Sequence, residues 1–228
     1  MKRLLFFVVG FFALLSVLNA QECDFYLPTE KGKKLTIQNY DAKHKPTSRM
    51  FYRVKDVEKT PDGKKIAIEE WFETEKGELT DTFLLEFYCK GGEFYIDMKS
   101  SVADLLKNYG NMDMEVTSHD LALPSNMKAG DVLPDGEVTV VIRNNGVKLL
   151  TISSRITNRK VEGREKVTTP AGTFDCVKLT YDTDAKVGFV KSHVKTVTWY
   201  ARNVGTVRSE TYNKKGKLEN SSELVGIE

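Results

Sequence analysis

"LTDTFLLEFYC", Leu79 to Cys89, carries an apolar side chain at nearly every second position. Leu79, Phe83, Leu85, Phe87 and Cys89 share one face, and only Asp81 interrupts it. Side chains of a strand alternate between faces, so this segment buries one face and wets the other. The pattern recurs upstream, with Met50, Tyr52 and Val54 in "RMFYRV" and Ile66, Ile68 and Phe72 in "KKIAIEEWF". Half-wet strands are the habit of antiparallel sheets. The turns between them are explicit: "TPDGKK", "TEKGEL", "KGGEF", "RNNGVK" and "NKKGKL". Each places Gly or Asn-Gly where a hairpin needs positive φ. The fold class is therefore mainly β: a strongly curved antiparallel sheet, a half-barrel or open barrel, laid down as a hairpin meander.

One segment has another period. In "KSSVADLLKNYG", Val102, Leu105, Leu106 and Tyr109 fall at i, i+3, i+4 and i+7, which predicts one amphipathic helix near 100–109. Ser101 and Asp104 have capping-box spacing, and Gly110 suits a left-handed C-terminal cap. A lone helix in a β protein must lay its stripe on a sheet, here the concave side. The following "HDLALPSNMKAGDVLPDG" holds Pro124, Pro134 and several turn residues. It reads as a long surface crossing, so 118–136 is the candidate internal boundary of a single β domain over 21–228.

The first twenty residues read as an export signal. Lys2 and Arg3 precede the uncharged run "LLFFVVGFFALLSVL", and Asn19-Ala20 ends it at a small residue. The run is too short to span a bilayer, so the expectation is cleavage after Ala20 and no stable membrane insertion afterwards. The residues ahead of Cys23 lack the small side chains that lipoprotein processing requires. The location that follows is the periplasm, the cell surface or the medium.

Removing Lys2 and Arg3 leaves 32 basic against 32 acidic residues. With no basic excess left to release counterions from a phosphate backbone, nucleic acid is not an expected partner. Of the three cysteines, Cys23 and Cys89 sit at segment ends and are the favoured disulfide. Cys176 lies within a predicted strand and reads as a buried, inert thiol.

Chemistry-bearing patterns are scarce. His44, His119 and His193 each stand apart from other ligands at metal-binding spacing, so no metal site is expected. There is no nucleophile elbow and no phosphate-cradling glycine loop, and no cofactor is expected. Glu69 and Glu70 are adjacent and so point to opposite faces of a strand, unlike a glycosidase pair. Glu70 falls on the apolar face with Ile68 and Phe72, which suits a strand end or barrel rim. Trp71 alternates with Glu69 and Glu73 and is the aromatic most exposed by pattern. Pro170, Ala171 and Gly172 turn the chain into a strand with Val177, Leu179 and Tyr181 on its inward face.

"KVEGREKVTTPAGTFDCVKLTYDT" and "WYARNVGTVRSETYNKKGKL", with "CDFYLPTEKGKKLTI" and "YCKGGEFYIDMKS", resemble a TapB-like family of exported β proteins of unknown function from Bacteroidetes-type bacteria. The family is similar to a broader periplasmic group whose architecture resembles half-barrel lipoprotein carriers. The resemblance implies an envelope protein with a curved antiparallel sheet, and brings no catalytic residue with it. The expected function is non-enzymatic binding of a lipid-like or other apolar ligand between sheet and helix. Val102, Leu105, Leu106, Tyr109 and Trp71 are its candidate contacts. The alternatives are a structural or assembly partner of other envelope proteins, or a hydrolase of envelope glycans.

Overall fold

Three turns close in the same way, and glycine chemistry explains two of them. Gly77 and Gly216 take φ of 79° and 72° and donate to the carbonyls of Thr74 and Asn213. His44 fills the equivalent position at φ 60°, donates to Asp41 and stacks on Tyr40 at 4.2 Å. Left-handed backbone favours Gly, so the histidine is explained by its turn and ring contact. The shared Lys-Gly-x-Leu of the two glycine turns thus reflects common turn geometry.

The computed structural model describes residues 25–228 except 62, 108 and 111, and leaves aside the side chains of 104 and 105. The expected leader and its cleavage site lie outside the described residues, as does the Cys23 end of the expected disulfide. The strands are β1 (Lys34–Asp41), β2 (Pro46–Thr60), β3 (Gly63–Thr74), β4 (Phe83–Lys90), β5 (Glu93–Ile96), β6 (Asp113–His119) and β7 (Leu121–Leu123). They continue as β8 (Gly136–Asn144), β9 (Val147–Thr169), β10 (Gly172–Val187), β11 (Val190–Ala201), β12 (Gly205–Asn213) and β13 (Leu218–Ile227). Among the described residues one helix, α1 (Ser100–Lys107), follows β5.

All are joined in one antiparallel sheet of 13 strands, ordered β6-β8-β9-β10-β11-β12-β13-β1-β2-β3-β4-β5-β7. The pairing of β1 with β13 sets Leu35 opposite Ile227. The two end strands, β6 and β7, are consecutive in the chain with only Asp120 between them. One segment therefore supplies both edges, and the sheet curls into a nearly closed barrel. Asp120 fastens this seam by accepting the Tyr88 hydroxyl at 2.6 Å and the Met98 amide at 3.0 Å.

Bulges bend the long strands. Asn158, at φ 52°, interrupts the β9–β10 register and donates to Asp182 at 2.8 Å. An added residue reverses the alternation of a strand. Ile152 and Ile156 face the core before the bulge, whereas Arg159 and Val161 do so after it.

The opening segment of the sequence departs from expectation at its start. Leu85, Phe87 and Cys89 face the core, but β4 begins only at Phe83 and Leu79 is exposed. Thr80 exchanges hydrogen bonds with Phe72 through its amide and its hydroxyl, so the chain leaves the regular ladder there. The stretch read as a surface crossing is also corrected: Leu121, Ala122, Leu123, Met127 and Leu133 are buried. Residues 130–133 hydrogen-bond to Arg159 and Val161 of β9, which draws the loop onto the sheet.

The helix forms where the 3.6-residue period places it, with another cap. Asp97, not Ser101, accepts the amides of Lys99 and Ser100, at 2.8 and 3.2 Å. Ser101 instead donates its hydroxyl to the Met98 carbonyl. Gly110 has the expected left-handed φ, 54°. Val102 is buried with Met98, Leu121 and the inward residues of β8, Val138, Val140 and Ile142; Leu106 and Tyr109 pack beside them.

Candidate functional site

Beyond the helix, a cavity opens in the main core. Ile37 of β1, Tyr52 of β2, Ile68 of β3, Phe87 of β4, Phe94 of β5 and Tyr200 of β11 line a cavity of about 220 Å³. The segment Phe25–Leu27 forms part of this interior. Phe25 meets Phe94 edge to face at 5.3 Å, and Tyr26 meets Tyr200 at 6.2 Å. The β11–β12 turn closes over the segment, and a Cβ on Gly205 would lie 3.2 Å from the Tyr26 carbonyl oxygen. Glycine is required by that approach and by its φ of 105°.

The lining is mostly apolar, with tyrosines as its polar points. The Tyr26 hydroxyl is buried and has no hydrogen-bond partner among the described residues. Buried hydroxyls are nearly always paired, so this one marks a place for a further polar atom. Tyr52 lies opposite Glu70 in the β2–β3 ladder and donates to its carboxylate. Burial pushes the Glu70 carboxyl up to about 7, and the Tyr52 hydrogen bond only partly opposes this. Burial, reinforced by Glu70, raises the Tyr52 hydroxyl well above its ordinary range. Outside the lining, the hydroxyl of Thr198 lies 3.3 Å from that of Tyr181 and 3.2 Å from that of Ser209. Arg159 donates to the carbonyls of Pro134 and Ala122, at 2.5 and 2.8 Å, while burial lowers its pKa. Its charge is thus spent on backbone carbonyls.

The sequence-predicted contacts lie elsewhere. Val102, Leu106 and Tyr109 belong to the packed helix cluster and do not line the cavity; the Leu105 side chain lies outside the described residues. Trp71 is on the outer face of β3, stacked on Phe51 at 5.3 Å with Arg53 at 5.6 Å over its ring. Glu69 shares that outer face and pairs with Arg53 at 2.5 Å and Lys55 at 3.3 Å. His119 lies 3.4 Å from Glu137 and His193 lies 2.8 Å from Asp184. No cluster of His, Cys, Asp and Glu among the described residues could hold a metal ion. Cys176 is free and buried against Trp199 and Val207, and burial pushes its thiol up to about 11. A larger open groove beside Lys45 and Arg49 is polar, its charges paired as Arg49–Glu73 and Lys45–Glu75 at 3.7 and 3.9 Å.

The model of the DUF3108-like family matches residues 30–224. The chain belongs to the DUF3108-like family. It is 27% identical to a crystal structure from Bacteroides fragilis, described as a presumed exported protein with a YmcC-like fold. That match has a TM-score of 0.72 and covers 90% of this chain and 100% of the other. A second crystal structure, of a presumed lipoprotein from Parabacteroides distasonis, is 26% identical with a TM-score of 0.73. It covers 91% of this chain and 100% of its own. No curated protein matches the chain. None of these likenesses carries the TapB-like label, and what stands is the likeness to an exported family of unknown function. Within this DUF3108-like chain, no helix among the described residues is long and apolar enough to cross a membrane.

Proposed function

We propose that this DUF3108-like protein is an exported, non-enzymatic binding protein that holds one slender apolar ligand inside its barrel. The observation that carries this reading is the apolar cavity lined by Tyr26, whose buried hydroxyl has no partner among the described residues. At about 220 Å³ the space falls below the roughly 300–1,000 Å³ of drug-sized sites, which favours a single alkyl chain over a multi-chain lipid. The ligand's polar end then sits where Tyr26 can donate to it. Glu70, half-neutral near pH 7, disfavours an anionic head less than an ordinary carboxylate would. The likeness to presumed exported and lipoprotein structures supports the location, and the leader at residues 1–20 supplies the route.

Native mass spectrometry of the protein purified from its own envelope tests this by weighing any retained ligand. Tyr26→Phe should retain markedly less ligand while its ligand-free form loses no stability, because the removed hydroxyl has no protein partner. Equal retention by wild type and variant, or none in either, sinks the reading and leaves the assembly role. The hydrolase alternative needs a second carboxylate within about 5 to 9.5 Å of the first. The hydrogen-bond partner of Glu70 is a tyrosine, Tyr52.

The Cys23–Cys89 bridge is part of the same proposal, since Cys89 is buried in the wall of the main core. Non-reducing peptide mapping should link Cys23 to Cys89 and leave Cys176 alkylatable only after unfolding. A peptide linking Cys176 to either one would refute the pairing.

A further inference from the structure

At one end of the barrel two neighbouring hairpins, staggered by about five residues, carry exposed apolar residues near their tips. The β8–β9 loop is Asn145–Gly146, with φ of 49° and 77°, and it is followed by exposed Val147 and Leu149. The β10–β11 loop is Gly188–Phe189, with Gly188 at φ 60°. Phe189 is 102% exposed, and Val187 and Val190 flank it, also exposed. The β10–β11 tip is held against β9, five residues from Gly146: Val187 lies opposite Ile152, and the Gly188 amide donates to Thr151 at 2.9 Å. Single exposed apolar residues are ordinary, but five on two coupled tips are a patch.

The charges on the two tips themselves, residues 144–149 and 186–191, are all basic. Lys148 separates Val147 from Leu149, and Lys186 sits directly opposite Lys191 across the β10–β11 ladder. Facing like charges cost a sheet stability, and no fold requirement explains placing them there. Among the described residues none of the three lysines forms an ion pair. Of the nearby acids, Glu115 pairs with Arg143 at 3.0 Å and Asp184 with His193 at 2.8 Å, while exposed Asp113 lies opposite Arg143 across the β6–β8 ladder. Residues 144–149 and 186–191 contain no carboxylate.

We infer that the two tips are a membrane-docking surface that inserts Phe189 and its neighbours into the interface of a bilayer bearing anionic headgroups. A convex apolar wedge with lysines at its base matches such an interface, in which side chains enter the acyl boundary while ammonium groups meet phosphates. The contact is peripheral and reversible, and spans nothing. It does not depend on the proposed ligand. Along β11, Val190 and the cavity residue Tyr200 are ten positions apart, roughly 33 Å in an extended strand, so docking leaves the cavity far from the lipid.

Flotation of the exported chain with phosphatidylcholine–phosphatidylglycerol vesicles, and with phosphatidylcholine alone, tests the inference. Wild type should float with the anionic vesicles, lose binding as salt rises, and bind neutral vesicles weakly. Phe189→Ser should weaken partitioning by about tenfold or more, as expected for loss of a buried aromatic side chain. Lys186→Gln and Lys191→Gln should each weaken it by about fivefold on anionic vesicles only. Both side chains lie outside the core, so urea midpoints should not fall. Absence of flotation by wild type overturns the inference, as does equal binding to both vesicle types or an unaffected Phe189→Ser. Self-association that Phe189→Ser abolishes, without vesicle binding, would assign the tips to a second copy instead.

Discussion

Glu70 shows how one residue can be read from sequence and still hold a surprise. Its place on an apolar strand face, beside Ile68, is visible in the alternation alone. Its partner is not, because Tyr52 comes from the neighbouring strand and the pairing depends on register. The folded chain holds the Glu70 proton up to about pH 7, whereas an ordinary carboxyl releases it near 4.5. Stability should therefore be greatest below 4.5 with respect to this group, fall as pH rises between those values, and level off above 7. The span is on the order of 3 kcal/mol. Glu70→Gln should flatten that slope and be the more stable protein at alkaline pH, as urea midpoints across the range would show. An unchanged slope would place the carboxyl in water. Tyr26 offers less to the sequence reader. It precedes the first strand, and only the tertiary path of Phe25–Leu27 takes it inside.

At the scale of elements, the hairpins and the helix are legible because each obeys a local rule. Glycine marks the turns, and a 3.6-residue stripe marks α1. The cap misleads because Asp97, Ser100 and Ser101 all stand near the helix start, and hydrogen-bond geometry chooses among them. The role of α1 is also beyond the pattern, since an apolar stripe fits a filled core and a ligand-lined wall equally well. Val102 is buried among Met98, Leu121 and the inward residues of β8. Val102→Ala should accordingly cost about 1 to 3 kcal/mol in urea unfolding and leave ligand retention untouched. A loss of ligand at unchanged stability would return the helix to the binding site. Arg159 is illegible for a different reason. The bulge at Asn158 inverts the alternation on which any strand reading relies, so a cation the pattern assigns to solvent ends in the core.

For the molecule as a whole, curvature follows from many short half-wet strands, but closure does not. The closing strand β7 is three buried residues in a row, with no alternation to announce it. Asp120 is the joint between the two sheet edges, and its carboxylate serves Tyr88 and Met98 at once. Asp120→Ala should cost about 2 to 4 kcal/mol by leaving two donors without a partner. Hydrogen exchange should then quicken in β5, β6 and β7 and remain slow in β10 and β11. Uniformly faster exchange would mean that the seam is no weaker than the rest.

The pairing of β1 with β13 has a consequence in time. Leu35 finds Ile227 only when nearly the whole chain is available, and the amides of Lys34 and Glu228 exchange hydrogen bonds across that junction at 2.9 Å. Contacts so distant in sequence must overcome loop-closure entropy before they contribute, which slows β folds relative to helical ones. A chain emerging from its N-terminus can pair β1 with β2 early, yet the other edge of β1 stays open until the last strand arrives. Such a chain is slow to commit to its final shape and remains threadable while it is being made, which is the kinetic habit required of a polypeptide that crosses a membrane before it folds.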